Sequence, residues 1–372
     1  IGDDMKKIIG ILIIMLAIFT CNLHSNADSD LVKNSKSAVL MESLTGEVVF
    51  NKDEHARRSP ASMTKIMSLK IIFDSYSQGA FKMDDIITTS EYASSMGGSQ
   101  IFLSVGEKMK ASDLIKSIAI ASANDACVAM AEHLYGSEEV FVDKMNEEAK
   151  TLGLKNTNFE NATGLPIDNH YTSAYDICQI ARELINNYGD LILPITSRYD
   201  DYVREGTEKQ FWLVNTNKLV KYIEGIDGLK TGWTNEAGYC LTATMHKDNI
   251  RFIAVSMGAE SAKKRNNDVV NMLNYGVNNY ELVPVINKGE IVKTIEDIKT
   301  MPNVYHLVTK EGVSILKKKT EEVGKITTEI VDKKLKVFVD NELYQVVDLE
   351  TMEEIEKANF LDIILKLLNL IH

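Results

Sequence analysis

The chain has 372 residues, 45% hydrophobic and 25% charged, with a formal net charge of −12. That length exceeds one ordinary domain and predicts two, with enough apolar residues for a sizeable core. The acidic balance disfavours a nucleic-acid partner, because phosphate binding needs a basic face that releases counterions. Basic stretches such as Lys317-Lys318-Lys319 are short and lie among glutamates, as solvated surface does.

Ile1 to Asp4 precede an apparent initiator, Met5, and read as extra residues. Lys6 and Lys7, the apolar run Ile8 to Phe19 and the small-x-small Ser25-Asn26-Ala27 then form an export signal, so residues 1–27 are expected to be a leader. The run is too short to favour a spanning helix, and Cys21 lacks the small residues that precede a lipidated cysteine. The mature chain keeps Cys127, Cys178 and Cys240, all among apolar neighbours, and these read as buried free thiols. No CxxC, HExxH or clustered His-carboxylate spacing occurs, so neither a metal nor a cofactor is expected.

Ser37 to Asn51 reads as a hairpin turning at Gly46. Pro60 precedes a helix whose apolar positions include Met63, Ile66, Met67, Leu69, Ile72 and Phe73. Ala111 to Gly153 is helical throughout, with breaks at Ser122-Ala123-Asn124 and at Gly136, and Tyr175 to Tyr188 makes one more helix. Gly238 to Met245 and Ile250 to Met257 are strands joined at Lys247-Asp248-Asn249, and Val269 to Tyr280 is a helix. The pattern predicts an α+β fold with a helical subdomain beside a sheet.

After Pro284 the short strands Val304 to Val308, Gly312 to Leu316, Ile326 to Val331 and Leu335 to Val339 predict a small all-β module. The expected divisions are a first domain over 28–282, a β-rich domain over 283–347 and a C-terminal helical segment over 348–372. From Phe360 to His372, Asp362, Lys366 and Asn369 share one side of a helix and apolar residues cover the rest. That length cannot cross a bilayer, but it suits an interfacial anchor; packing on the protein or in an oligomer is the alternative.

Three motifs carry chemistry. Ser62-Met63-Thr64-Lys65 places a hydroxyl and a lysine on one side of a helix at neighbouring turns. Serine needs a base to become nucleophilic, and lysine serves once burial lowers its pKa; Ile66 and Met67 supply apolar surroundings. Ser122 and Asn124 stand where one helix stops and another starts, so they are either caps or a polar wall that relays protons. Lys230-Thr231-Gly232 reads as a strand edge along which a substrate backbone lies close, its carboxylate near Lys230 and Thr231 and Gly232 leaving the room. An ordinary turn before a strand is the alternative.

In this order, Ser-x-x-Lys, Ser-x-Asn and Lys-Thr-Gly resemble the signature set of penicillin-binding proteins and serine β-lactamases. Arg58-Ser59-Pro60-Ala61 before the first motif, Asp125-Ala126 after the second, Gly164-Leu165-Pro166 with His170-Tyr171-Thr172-Ser173-Ala174-Tyr175-Asp176, and Asp227-Gly228-Leu229 narrow the resemblance. It is to the low-molecular-mass D-alanyl-D-alanine carboxypeptidases, from about Ser37 to Tyr280 and more weakly beyond.

The resemblance implies a β-lactamase/transpeptidase-like domain, an antiparallel sheet flanked by helices with a helical subdomain. It implies that Ser62 is acylated by the penultimate D-alanine carbonyl of a peptidoglycan stem peptide, with Lys65 as general base and β-lactams as covalent inhibitors. Ser122 and Asn124 would line the opposite wall, Lys230 would lend positive charge to the proton relay, and the Ser62 and Trp233 amides would form the oxyanion hole. Thr231 and Arg265 would bind the terminal carboxylate; Lys263 and Lys264 adjoin Arg265, so a surface basic cluster is the alternative there. The enzyme would act outside the cell, tethered to the outer face of the cytoplasmic membrane. Ala123 departs from the glycine that many relatives carry, and Trp233 leaves the substrate side pocket open.

A β-lactamase needs a further loop glutamate to activate water, whereas Glu160-Asn161-Ala162-Thr163-Gly164-Leu165-Pro166 resembles the carboxypeptidase pattern. A non-catalytic peptidoglycan-binding scaffold has no use for a nucleophile with its base.

Overall fold

The computed structural model describes residues 31–368. The leader reading over 1–27, Cys21 and positions 369–372 of the terminal helix lie outside the described residues. Two compact units emerge: one runs to Met41 and takes Val48–Met245 and Ile253–Asn274, the other takes Glu42–Glu47, His246–Phe252 and the chain from Tyr275 onward.

The first unit is built on strands β1 (Ser37–Glu42), β2 (Val48–Lys52), β3 (Ile226–Thr234), β4 (Gly238–Lys247) and β5 (Ile250–Ala259). They form one sheet in the order β2-β1-β5-β4-β3, which leaves β3 outermost. Antiparallel β3 and β4 pair Lys230 with Thr242 and Gly232 with Cys240. The Lys-Thr-Gly motif thus lies inside a strand rather than in a turn ahead of one.

The helices are α1 (Lys65–Ser77), α2 (Ala111–Ile120), α3 (Asn124–Tyr135), α4 (Glu138–Thr151), α5 (Ala174–Thr196) and α6 (Ala262–Asn279). α3 ends at Gly136 with φ 83°, a left-handed stop that glycine adopts without a Cβ clash. α4 starts under Ser137, whose Oγ accepts from Val140 N, and α5 starts under Ser173, whose Oγ accepts from Asp176 N. The predicted end of α5, Tyr188, is a kink at φ −134°, after which the helix resumes.

α1 is buried nearly all round, as a central helix must be. Ile66, Met67, Leu69, Ile72 and Phe73 are at most 1% exposed. Each such side chain stabilises the fold by about 1.5–3 kcal/mol. Cys127, Cys178 and Cys240 are free and buried, as expected.

In the second unit, β6 (Tyr280–Ile286) pairs with β9 (Val313–Lys318), Leu282 facing Leu316. The boundary expected at 282/283 therefore falls inside a strand, and the division comes earlier, at Tyr275. Strands β7 (Ile291–Glu296), β8 (Val304–Thr309), β10 (Ile326–Val331), β11 (Lys334–Val339) and β12 (Glu342–Thr351) form a sheet in the order β7-β8-β12-β11-β10. Leu307, Leu335, Val337, Val347 and Leu349 fill its core.

The segment 348–372 is not wholly helical: 348–351 complete β12, and Glu356–Lys357 pair with Thr300–Met301. α7 (Phe360–Leu367) follows, opened by a capping box in which Asn359 and Asp362 each bond the other's backbone N–H. Phe360, Leu361 and Leu367 are exposed. No described helix is long and apolar enough to cross a membrane.

Candidate active site

Pro60 leads into a 3₁₀ turn, Ala61–Thr64, whose last residue adjoins α1. Side chains three apart eclipse in that geometry, so Ser62 and Lys65 meet. Lys65 Nζ lies 3.2 Å from Ser62 Oγ and 2.7 Å from the Thr163 carbonyl. Lys65 is 0% exposed, and burial pushes its pKa down to about 8 against the opposing charges of Asp125 and Glu138. A neutral amine has two N–H groups and one lone pair. Thr163 can only accept, so it takes an N–H and leaves the lone pair for the Ser62 hydroxyl.

The Thr163 carbonyl is a functional group that motif reading missed, because it belongs to the backbone. Its loop is held from several sides. Asn161 Oδ1 accepts from the N–H of Thr163, Gly164 and Leu165; Glu138 Oε1 accepts from Ala162 N at 2.8 Å; Ser68 Oγ donates to Ala162 O at 2.6 Å. Gly164, at φ 84°, presses on the nucleophile turn so closely that a Cβ would stand 1.8 Å from Ala61 O. Asn161 and Gly164 are the sequence signals for this support.

Ser122 and Asn124 are not caps. Ala123 holds the N-cap position of α3, where no side chain caps, and Ser122 sits at φ 65°. Asn124 Nδ2 donates to Gly97 O at 2.7 Å. Ser122 Oγ and Asn124 Oδ1 are buried with no partner among the described residues, a costly arrangement unless another molecule supplies one.

Lys230 is 1% exposed, with Nζ 3.2 Å from Thr231 O. Burial first, then the neighbouring Lys65 charge, hold its pKa well below the ordinary lysine value. Motif reading assigned Lys230 a positive charge for the proton relay; in the fold, burial and a neighbouring lysine work against that charge. Gly232 also has a different reason from the one its sequence suggested: a Cβ there would meet Pro60 O at 2.7 Å, so its bareness lets β3 seat against the nucleophile turn.

Trp233 is 55% exposed beside Tyr239. A cleft of about 590 Å³ is lined by Ser62, Asn124, Thr163, Leu165, Trp233 and Glu236, among others. Thr231 is 9% exposed and immediately precedes Gly232 on β3. Arg265, on α6, is 6% exposed and outside that lining; its Nη1 donates to Cys240 O at 3.2 Å and its Nη2 to Asn266 Oδ1 at 2.8 Å. It is therefore no surface cluster, and its charge reaches Lys230. Glu160 lines an adjoining cleft with Glu132 and Glu139, which shares Thr163, Leu165 and Pro166 with the first but not Ser62.

Known proteins resemble this chain in sequence and fold. The sequence pattern of the D-alanyl-D-alanine carboxypeptidases matches residues 24–261. D-alanyl-D-alanine carboxypeptidase DacF of Bacillus subtilis is 48% identical over 332 residues, 88% of this chain and 85% of that one. Penicillin-binding protein 5 from Haemophilus influenzae superposes with a TM-score of 0.73 at 28% identity, covering 87% of this chain and 98% of the other. Penicillin-binding protein D2 from Listeria monocytogenes in its cefotaxime-bound form gives 0.59 at 27% identity, covering 65% of this chain and 97% of the other. A buried lysine on a serine, an unpartnered polar wall and a bare strand edge are thus housed in a fold and sequence shared with these enzymes, and the chain belongs to the D-alanyl-D-alanine carboxypeptidase family.

Proposed function

We propose that the reaction runs through an ester on Ser62 formed with a peptidoglycan stem peptide ending in D-Ala-D-Ala. Lys65 Nζ takes the Ser62 proton as Oγ bonds to the penultimate D-alanine carbonyl carbon, and the Ser62 and Trp233 amides hold the oxyanion. The C–N bond then breaks, and the departing D-alanine amine receives a proton through Ser122 and Lys65. Water cleaves the ester and returns Ser62. Thr231 and Arg265 hold the terminal carboxylate, whose arrival favours the charged form of Lys230. Asn124 and Gly232 shape the two sides of the channel.

The single observation that carries this reading is the fully buried Lys65, lowered to about 8, standing 3.2 Å from Ser62 Oγ. Penicillins are expected to acylate the same oxygen, in keeping with the cefotaxime-bound relative. Fluorescent penicillin should label the intact protein and not Ser62→Ala, and mass spectrometry of a diacyl-Lys-D-Ala-D-Ala digest should show free D-alanine. Intact peptide after long incubation would mean another reaction.

The location follows the same reading: export by the leader, with α7 resting on the outer face of the cytoplasmic membrane. Exposed Phe360, Leu361 and Leu367 support it. The full chain should float with anionic phospholipid vesicles and Leu361→Glu/Leu367→Glu should not; equal flotation of the two removes the anchor.

A further inference from the structure

His170 is 6% exposed and lies just ahead of α5, outside the lining of the Ser62 cleft. Its Nδ1 stands 3.0 Å from the Glu160 backbone N, and its Nε2 2.8 Å from Thr64 Oγ1. A backbone N–H can only donate, so Nδ1 carries no proton and the proton sits on Nε2. Burial pushes the imidazole down to about 4, which maintains that neutral form. Nε2–H therefore donates to Thr64, whose own hydroxyl proton goes to the Ala61 carbonyl at 2.9 Å. Every bond in the series points the same way, from Glu160 N–H through His170 and Thr64 to Ala61 C=O.

The end of that series matters because of what it shares. The Ala61 carbonyl and the Ser62 N–H belong to one planar peptide group, so turning the carbonyl turns the N–H. Ala61 is held at φ 48°, where non-glycine residues rarely sit, and such a plane keeps its direction only when its surroundings fix it. The Thr64 hydroxyl donates to the carbonyl oxygen, and Gly164 stands so close that a Cβ would reach it at 1.8 Å; both add to the backbone bonding of the turn. Aligned hydrogen bonds also polarise one another, and an amide that accepts at its oxygen donates more strongly at its nitrogen.

We propose that His170 is a positioning residue for acyl transfer, acting through Thr64 and the Ala61 carbonyl to aim and polarise the Ser62 N–H of the oxyanion hole. The inference rests on the Ser62 ester reading above. His170 touches neither substrate nor the reacting atoms. Its contribution is the direction of one peptide plane, delivered from the far side of the nucleophile turn.

Nitrogen NMR of the full chain labelled with ¹⁵N-histidine should show His170 with Nε2 protonated and Nδ1 bare at neutral pH; the opposite tautomer or a charged ring overturns the proposal. Thr64→Val keeps the side-chain outline and removes the relay. It should slow acylation by fluorescent penicillin about tenfold while the preceding non-covalent binding changes less than about threefold. The ester carbonyl stretch of its acyl-enzyme should move to higher frequency, as a weakened oxyanion hole requires. Thr64→Ser should recover the rate, and Thr64→Val/His170→Ala should be no slower than the slower single variant, since both cut one series. An unchanged rate and stretch in Thr64→Val, with the wild type labelled normally, overturns the relay alone. A wild type that takes no label overturns the Ser62 reading instead.

Discussion

Two lysines on α1 are shifted in opposite directions. Lys65 opens the helix with no carboxylate bonded to it, and burial lowers its pKa to about 8. Lys70, 5% exposed, sits 2.8 Å from Asp74 Oδ2 and 2.7 Å from Glu148 Oε1. Burial lowers Lys70 as well, but its hydrogen bonds to the Asp74 and Glu148 carboxylates outweigh it and raise the pKa. The same residue type on the same helix is thus a paired cation in one turn and, in the reaction proposed above, the proton acceptor in another. Depth of burial and the partners decide together: Lys65 lies deeper and lacks a bonded carboxylate, and Lys70 has two.

The comparison can be broken at either lysine. Lys65→Ala should slow acylation about 10³-fold, and Lys65→Arg should fare no better because its guanidinium stays charged; rapid-quench labelling measures both, and an active arginine variant would end the base assignment. Gly164→Ala cannot be accommodated without shifting the loop that carries the Thr163 carbonyl, since the new Cβ would lie 1.8 Å from Ala61 O. A displacement of that kind costs about 10²-fold in rate, and wild-type kinetics would show that the Thr163 carbonyl does not orient Lys65. Lys70→Met should leave the labelling rate within about twofold yet lower stability in urea by about 1.5–3 kcal/mol, the range for lost charged hydrogen bonds. The smallest effect is on pH dependence: Asp125→Asn removes a charge that raises the Lys65 pKa, so the midpoint of acylation should move to lower pH. A shift upward would contradict the sign.

Motifs at short spacing were legible because their geometry is local. Ser62 and Lys65, the breaks around Ser122 and Gly136, and the burial of the cysteines all depend on neighbours within a turn or two. What escaped was nonlocal or carried by backbone. β3 contains Gly228, Lys230 and Gly232, which spoil apolar alternation, so the sequence offers a strand edge with a turn as the alternative, and only pairing with β4 decides for the strand. Tyr280 to Leu282 looked like the end of a helix and a boundary because their partner, β9, lies more than thirty residues ahead. β12 did carry a signal, with Val347 and Leu349 buried between exposed Asp348 and Glu350, and reading 348–372 as one helical segment passed over it. Lys230 was read from its formal charge, and the burial that works against that charge appears only in the fold.

The pH dependence of acylation is the most direct test of the account, because it reads the protonation of Lys65 itself. Below its pKa the ammonium has no lone pair for the Ser62 proton, so the second-order rate of labelling should rise about tenfold per pH unit on the acid side and level off above a midpoint of about 8. A rate that stays flat between about pH 6 and 9, or a midpoint at the ordinary lysine value of 10.5, would contradict a neutral Lys65 as the base.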